Sequence, residues 1–327
     1  MRFGLFLPHV GVFGGVRRYL ELGSEWVSLG HRVTLFHPDG GAPAWLPFAG
    51  DTRPLVDAAH AESDVAICGD RDTYAQFRAH RARRHVFYCV LEADPALHTV
   101  LADRAVTLMA NSGPLLRQLQ RSARRPVLDG IGGIRPERFR PDAGARADAP
   151  LRILVNGRRS RPRKGTDLVL RALCGLAGRV PPFETVLFDT VDPATNRQDP
   201  RDGAPLPLDA RFVLGPSQDE LVALYQSSHI FVAAEKRSGW CNTALEALAC
   251  GCALVCTRSG TTDFARHGEN ALVSWRHPWF LRRSVDCLLR DPALRERLAA
   301  AGPASAAPWA WPRLARRILE QLTSDHR

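Results

Sequence analysis

Short apolar runs alternate with amphipathic stretches along the whole chain, separated by polar or glycine-bearing loops. RFGLFL, RRYLELGSEWVSLG and HRVTLFH predict strand, helix and strand, with Gly30 placed to end the helix in a left-handed cap. DVAIC (64–68), HVFYCVL (85–91) and AVTLMA (105–110) read as buried strands, and NSGPLLRQLQRSARRP as a helix running to Pro126. GIRPERFRPDAGARADAP (133–150) has neither the helical nor the strand period and is expected to be an interdomain linker. A second series follows: LRILVN, GTDLVLRALCGLAG, ETVLFD, RFVLG, SQDELVALYQSS, HIFVAA, NTALEALACG and CALVCT. From Pro278 the chain is predicted helical, closing in amphipathic PRLARRILEQLT. Apolar strands alternating with helices argue for parallel sheets covered on both faces. The expected fold class is α/β, with two Rossmann-like domains facing each other across a cleft. The expected domains are 1–145 and 146–305, with 306–327 a helix packing back on the first.

The length of 327 residues allows two cores, and 45% hydrophobic with 24% charged residues is a globular balance. The N-terminal run MRFGLFLPHV lacks a small-residue cleavage site and reads as a first strand. No stretch reaches the roughly 20 apolar residues of a membrane span, so a cytoplasmic protein is expected. The net charge is +10, almost all from arginine, since lysine occurs only at 164 and 236. That sign calls for an anionic partner. No basic tail or zinc-finger spacing points to nucleic acid, which leaves phosphorylated small molecules, an acidic carrier or anionic lipid. Eight cysteines lie mostly in apolar runs, and Cys250, Cys252 and Cys256 are read as buried rather than metal-binding. No metal site and no cofactor are expected.

Ligands of open parallel sheets bind beyond the carboxyl ends of strands, so the loops there are the places to search. In the first, Gly14 and Gly15 precede a helix and let the backbone approach a phosphate, or simply make a tight turn. In the second, NGRRSRPRKGTD (156–167), Arg158 and Lys164 stand six residues apart before a helix expected to be capped by Thr166 or Asp167. An arginine fork and a lysine point charge suit one anion between them. In the third, AAEKRSGWCNTALEALACG (233–251), Glu246 lies one turn into a helix while Leu245 and Leu248 pack inward. A carboxylate there could accept two ribose hydroxyls. The fourth, RSGTTDFARHGENALV (258–273), places Gly260 after a strand. GDRD (69–72) contains a D-x-D but reads as a capped turn. The helix PLLRQLQRSARR carries Leu115, Leu116 and Leu119 on one face, which suits a domain core or peripheral contact with a membrane.

The order GG-V-R, GHRV, GR-x5-KG, then GW-x4-LEALACG followed by ALV-x4-G resembles the retaining GT-B glycosyltransferases usually called family 4 (glycosyl transferases group 1). The resemblance spans nearly the whole chain. It implies metal-independent transfer, with retention, of a sugar from a nucleoside diphosphate donor held by the second domain. The acceptor, on the first domain, is expected to be a small molecule, carrier-bound or a lipid. The donor sugar is expected to be a hexosyl or N-acetylhexosaminyl group, carried on UDP ahead of GDP or dTDP. By position, Arg158 and Lys164 match the diphosphate pair, Glu246 the second Glu of E-x7-E on the ribose, and Asn242 and Thr243 backbone positions near the phosphates. Gly15, with Gly14, matches the N-terminal glycine loop, and Pro216 and Ser217 a loop beside the base. The sequence departs at Ser238, where the pattern has its first Glu, with Glu235 three positions earlier. A family histidine falls near Val90, which leaves Glu92 or Asp94 to serve the acceptor. Ser238 and Glu92 thus join Arg158 and Lys164 as candidate catalytic residues. Lys164→Ala is expected to keep the fold and cut turnover at least about a hundredfold. The alternatives are an epimerase or hydrolase on the same scaffold, or a non-catalytic nucleotide-sugar binder.

Overall fold

The computed structural model describes residues 1–91, 96–146, 150–176, 178–190 and 208–324. Two compact units emerge, one of residues 1–133 with 309–327, the other of 134–308.

Seven parallel strands form the sheet of the first unit: β1 Arg2–Phe6, β2 Arg32–His37, β3 Asp51–Pro54, β4 Glu62–Cys68, β5 Arg81–Cys89, β6 Val106–Ala110 and β7 Val127–Asp129. Their order is β3-β2-β1-β4-β5-β6-β7. Helices cover both faces, as apolar parallel strands require. On one face the helix Gly14–Ser28 buries Val16, Tyr19, Leu20 and Trp26, and Trp26 stacks on Phe3 at 4.4 Å. Gly30, at φ +83°, ends that helix. On the other face the helix Gly113–Ala123 starts on its Ser112 cap and buries Leu115 and Leu119. Its leucine face is therefore core, not a membrane face.

The terminal helix Trp311–Ser324 belongs to this first unit. Trp311, Leu314, Ile318 and Leu322 join the core of Phe3 and Trp26, and the Trp26 indole donates to the Ala315 carbonyl at 3.2 Å. Each such side chain contributes about 2 kcal/mol relative to exposure.

The second unit has six parallel strands: β8 Leu151–Asn156, β9 Phe183–Asp189, β10 Arg211–Leu214, β11 Ile230–Ala233, β12 Ala253–Cys256 and β13 Ala271–Val273, in the order β10-β9-β8-β11-β12-β13. The boundary falls at 133/134 rather than 145/146, because most of the expected linker is packed down on the second unit. Phe139 is buried edge-on to Tyr225, Arg138 pairs with Asp219 at 2.7 Å, and Arg146 donates to the Gly251 and Cys250 carbonyls at 2.7 and 3.1 Å. Those carbonyls end the helix Asn242–Ala249, where a cation is favoured.

In both sheets the strand order reverses at the first strand of the unit, since β1 lies between β2 and β4, and β8 between β9 and β11. Such reversals leave a crevice at the carboxyl ends of the strands. No helix of the described residues is long and apolar enough to cross a membrane.

Candidate functional site in the second unit

The turn after β8 is shaped by its two glycines. A Cβ on Gly157 would lie 2.8 Å from the Phe212 ring. Gly165 sits at φ +76°, where a Cβ would overlap the Ala234 carbonyl oxygen. The loop between them is thus fixed at both ends against neighbouring strands, while Arg161 and Arg163 stay exposed. Gly165 itself is the N-cap of the helix Thr166–Cys174, in place of the side-chain cap expected from Thr166 or Asp167. The Thr166 hydroxyl instead donates to the Asn156 carbonyl at 2.9 Å, and Asp167 pairs with Arg159 at 2.8 Å.

Arg158 is buried. Its Nε donates to Asp189 Oδ1 at 2.8 Å and its NH2 to the Thr190 hydroxyl at 2.8 Å. Asp189 is the last residue of β9 and is itself buried, so the guanidinium is held by a carboxylate at a strand end. The Lys164 ammonium donates to Glu235 Oε1 at 2.6 Å, with the lysine side chain 23% and the glutamate 7% exposed. Glu235 follows β11 and also accepts from the Cys241 thiol at 3.4 Å, with Ser238, whose hydroxyl donates to the Trp240 carbonyl at 3.4 Å, close enough to lower its carboxyl further. Burial pushes its carboxyl up, but the Lys164 charge and these hydrogen bonds outweigh that and hold it below the usual carboxylate range. It is an anion at neutral pH.

Two loops are tied together here, because Lys236 N–H donates to the Arg163 carbonyl at 2.8 Å and Arg276 bridges the Ala234 and Pro162 carbonyls at 2.9 and 3.0 Å. Arg237 takes φ +59°, a left-handed non-glycine residue between Glu235 and Ser238. The Ser238 N–H donates to the Ser259 hydroxyl at 2.8 Å, and Gly260, at φ +74°, accepts from Cys241 N–H at 2.8 Å. This arrangement aims the start of the helix Asn242–Ala249, with Asn242 and Thr243 in its first turn, at the carboxyl edge of the sheet. The helix end adds partial positive charge.

Glu246 is buried in the same helix and accepts from the Tyr225 hydroxyl at 3.0 Å, with Leu245 and Leu248 fully buried beside it. Pro216 and Ser217 precede the helix Gln218–Gln226. Ser217 is its capping box, accepting from Glu220 N–H at 3.2 Å while its own N–H donates to the Glu220 carboxylate at 2.8 Å. Gly14 and Gly15 open the first-unit helix, and a Cβ on Gly15 would meet nothing within 4 Å. Glu92 and Asp94 lie outside the described residues.

Lys164, Glu235 and Ser238 are thus brought into one cluster, and Arg158 and Glu246 each into a pair of their own. Asp189, Thr190, Tyr225 and Cys241 are partners that the sequence alone did not single out. A carboxylate closing the apolar strand ETVLFD was a visible signal for Asp189. Tyr225 and Cys241 carried none, because their partners are distant in sequence.

Among the described residues no group of three or more His, Cys, Asp or Glu could hold a metal. Burial pushes the Cys252 and Cys256 thiols up to about 12, which keeps them protonated and poor ligands. In the D-x-D segment Asp70 accepts from the Thr73 N–H and hydroxyl at 2.9 and 3.0 Å, a capped turn.

The model of the family described as glycosyl transferases group 1 matches residues 140–305, which lie within the second unit. The chain is 30% identical over 204 residues to a D-inositol 3-phosphate glycosyltransferase from Frankia alni. That stretch is 57% of this chain and 50% of the relative, so the chain spans about half of that relative's length. Among solved structures, HepE from Anabaena in complex with UDP-glucose is similar with a TM-score of 0.79 at 15% identity, covering 99% of this chain and 100% of that one. Sucrose-phosphate synthase from Thermosynechococcus elongatus gives 0.78 at 17% identity, covering 99% and 98%. The two parallel-sheet α/β units are the fold of GT-B glycosyltransferases.

Proposed function

The chain belongs to the glycosyl transferases group 1 family, and from that premise we propose that it moves a sugar, with retention and without a metal ion, from a nucleoside diphosphate donor to an acceptor. The observation that carries this reading is the pair of sequestered cations at the strand ends of the second unit, Arg158 on Asp189 and Lys164 on Glu235. When the anomeric carbon–oxygen bond breaks, the electron pair stays on the leaving diphosphate, whose growing charge needs fixed positive partners. Preorganised cations and helix N-termini answer that need without reorganisation. Lys164, Arg158 and the N-terminus of the helix Asn242–Ala249 take this role. Glu246 accepts the ribose hydroxyls, with Asn242 and Thr243 beside the phosphates. Glu235 and Ser238 face the sugar, Glu235 being the one carboxylate of that pair. Pro216 and Ser217 lie toward the base. HepE is described in complex with UDP-glucose, which supports a UDP-hexose donor for this chain. The acceptor class is a small molecule, a carrier-bound group or a lipid.

A panel of UDP-, GDP- and dTDP-sugars tests the reading. Slow release of the nucleoside diphosphate from one donor without acceptor is the expected outcome. Binding without turnover would favour a non-catalytic binder, for which Ser238 is the supporting residue, and an epimerised product would favour an epimerase.

A further inference from the structure

Among the described residues of the second unit, the exposed large apolar side chains are confined to one short segment: Trp275 at 75%, Trp279 at 45% and Phe280 at 41% exposure. The segment follows β13 and enters the helix Pro278–Arg290, whose His277 cap accepts from Trp279 N–H at 3.2 Å. That helix turns Leu281, Val285, Leu288 and Leu289 into the core. Trp279, Arg283, Asp286 and Arg290, spaced by four, three and four residues, fall together on its other side. With Arg282 and Arg179 they line a hollow of about 250 Å³. Arg283 lies over the Trp279 ring at 5.7 Å, and Trp279 meets Phe280 edge-on at 4.8 Å. Asp286 is already paired with Arg290 at 2.9 Å, while Arg179, Arg282 and Arg283 meet no carboxylate among the described residues.

Amphipathic rings beside arginines are the composition of a membrane-surface anchor: the rings occupy the headgroup level and the cations meet lipid phosphate. We propose that this face of the second unit docks on a bilayer surface containing anionic phospholipid. Charge decides between occupants. A second copy of this chain would bring another net +10 toward the same arginines, a repulsive pairing. The leucines of the helix Gly113–Ala123, the sequence's own candidate for such contact, are committed to the core. The inference does not depend on which sugar or acceptor the protein uses.

Flotation of the full chain with phosphatidylcholine vesicles, alone and with phosphatidylglycerol added, tests the proposal. Binding is expected only to the second kind, weakening with salt. Brominated acyl chains in those vesicles should quench tryptophan fluorescence of the unaltered protein, a readout that needs no variant. Arg283→Gln should lower the partition coefficient about fivefold, the equivalent of about 1 kcal/mol for one basic residue, and Arg282→Gln with Arg283→Gln about 25-fold. Trp279→Ala with Phe280→Ala should reduce the quenching to the share Trp275 retains while donor hydrolysis stays unchanged. Absence of flotation, equal flotation with both vesicles, or flotation indifferent to these variants would overturn it. So would retention by a single-stranded oligonucleotide, lost in the same variants, without flotation.

Discussion

The two units place the same topological device, a first strand at which sheet order reverses, before turns of opposite chemistry. After β1 the chain enters its helix through Gly14 and Gly15, with no side-chain cap and open space around Gly15. After β8 it carries Arg158, Arg159, Arg161, Arg163 and Lys164 and closes on a glycine wedged against the Ala234 carbonyl. The buried cation beneath the first sheet's edge, Arg18, is held by the Tyr88 hydroxyl at 2.7 Å and the Gly130 carbonyl at 3.2 Å and lies over the Tyr88 and Trp311 rings. Neutral acceptors and ring faces make that arginine part of the packing. Carboxylates at strand ends hold Arg158 and Lys164 instead, and a phosphate can replace a carboxylate oxygen for oxygen. Topology supplies the place, and the partners of the cations decide what it can bind.

Removing the lysine should break the comparison most. Lys164→Ala is expected to lower turnover at least about a hundredfold. It should also cost stability, roughly 3 kcal/mol, because Glu235 is left buried and unpaired. The fold is expected to survive this change at that reduced stability. Adding Glu235→Gln should restore much of the lost melting temperature and none of the turnover; recovery of both would make Lys164 purely structural. Next in size, Gly165→Ala imposes a left-handed alanine and a backbone clash, and about 3 kcal/mol should be lost in chemical denaturation. Gly15→Ala, its counterpart in the first unit, should gain a few tenths to about 1 kcal/mol. If Gly15 also admits a phosphate, the variant's kcat/KM falls as its stability rises, whereas an unchanged kcat/KM assigns the glycine to the turn alone. The smallest effect is on pH dependence. Burial first, then the charges of Arg146, Arg295 and Arg152, lowers His229 from 6.5 to about 4. A histidine neutral in the fold contributes stability that is present above its ordinary value and lost as pH falls through its lowered one. Calorimetry at stepped pH should show the second unit weakening from about pH 6.5 toward 4, and His229→Asn should flatten that loss. His80 in the first unit is lowered by burial too, so the variant should leave that unit's acid loss untouched.

The apolar interior strands were legible as runs, since β1, β4, β6, β8, β9 and β12 are buried on both faces and read that way. Of the edge strands, only β10, RFVL, was. β3 is DTRP, alternately exposed, and β7 has three residues, because a strand paired on one side needs no continuous apolar run. The first half of β5, RARR, hid for the same reason of exposure. In the candidate site, Arg158, Lys164 and Glu246 were singled out from local spacing alone. Their partners Asp189, Glu235 and Tyr225 come from 31, 71 and 21 residues away, separations that only the sheet order closes. The linker was misread because a few anchors, Phe139, Arg138 and Arg146, fix a segment whose average composition is that of a loop.

The return of residues 309–327 to the first unit has a consequence for how the chain is made. A ribosome delivers sequence in order, and domains close as their residues emerge. The second unit is continuous from 134 to 308 and can complete itself as soon as it has left the exit tunnel. The first, though synthesised earlier, waits with Phe3 and Trp26 uncovered until Trp311, Leu314 and Ile318 arrive. The part that starts first is finished last, and in that interval its open core is the surface a chaperone would recognise.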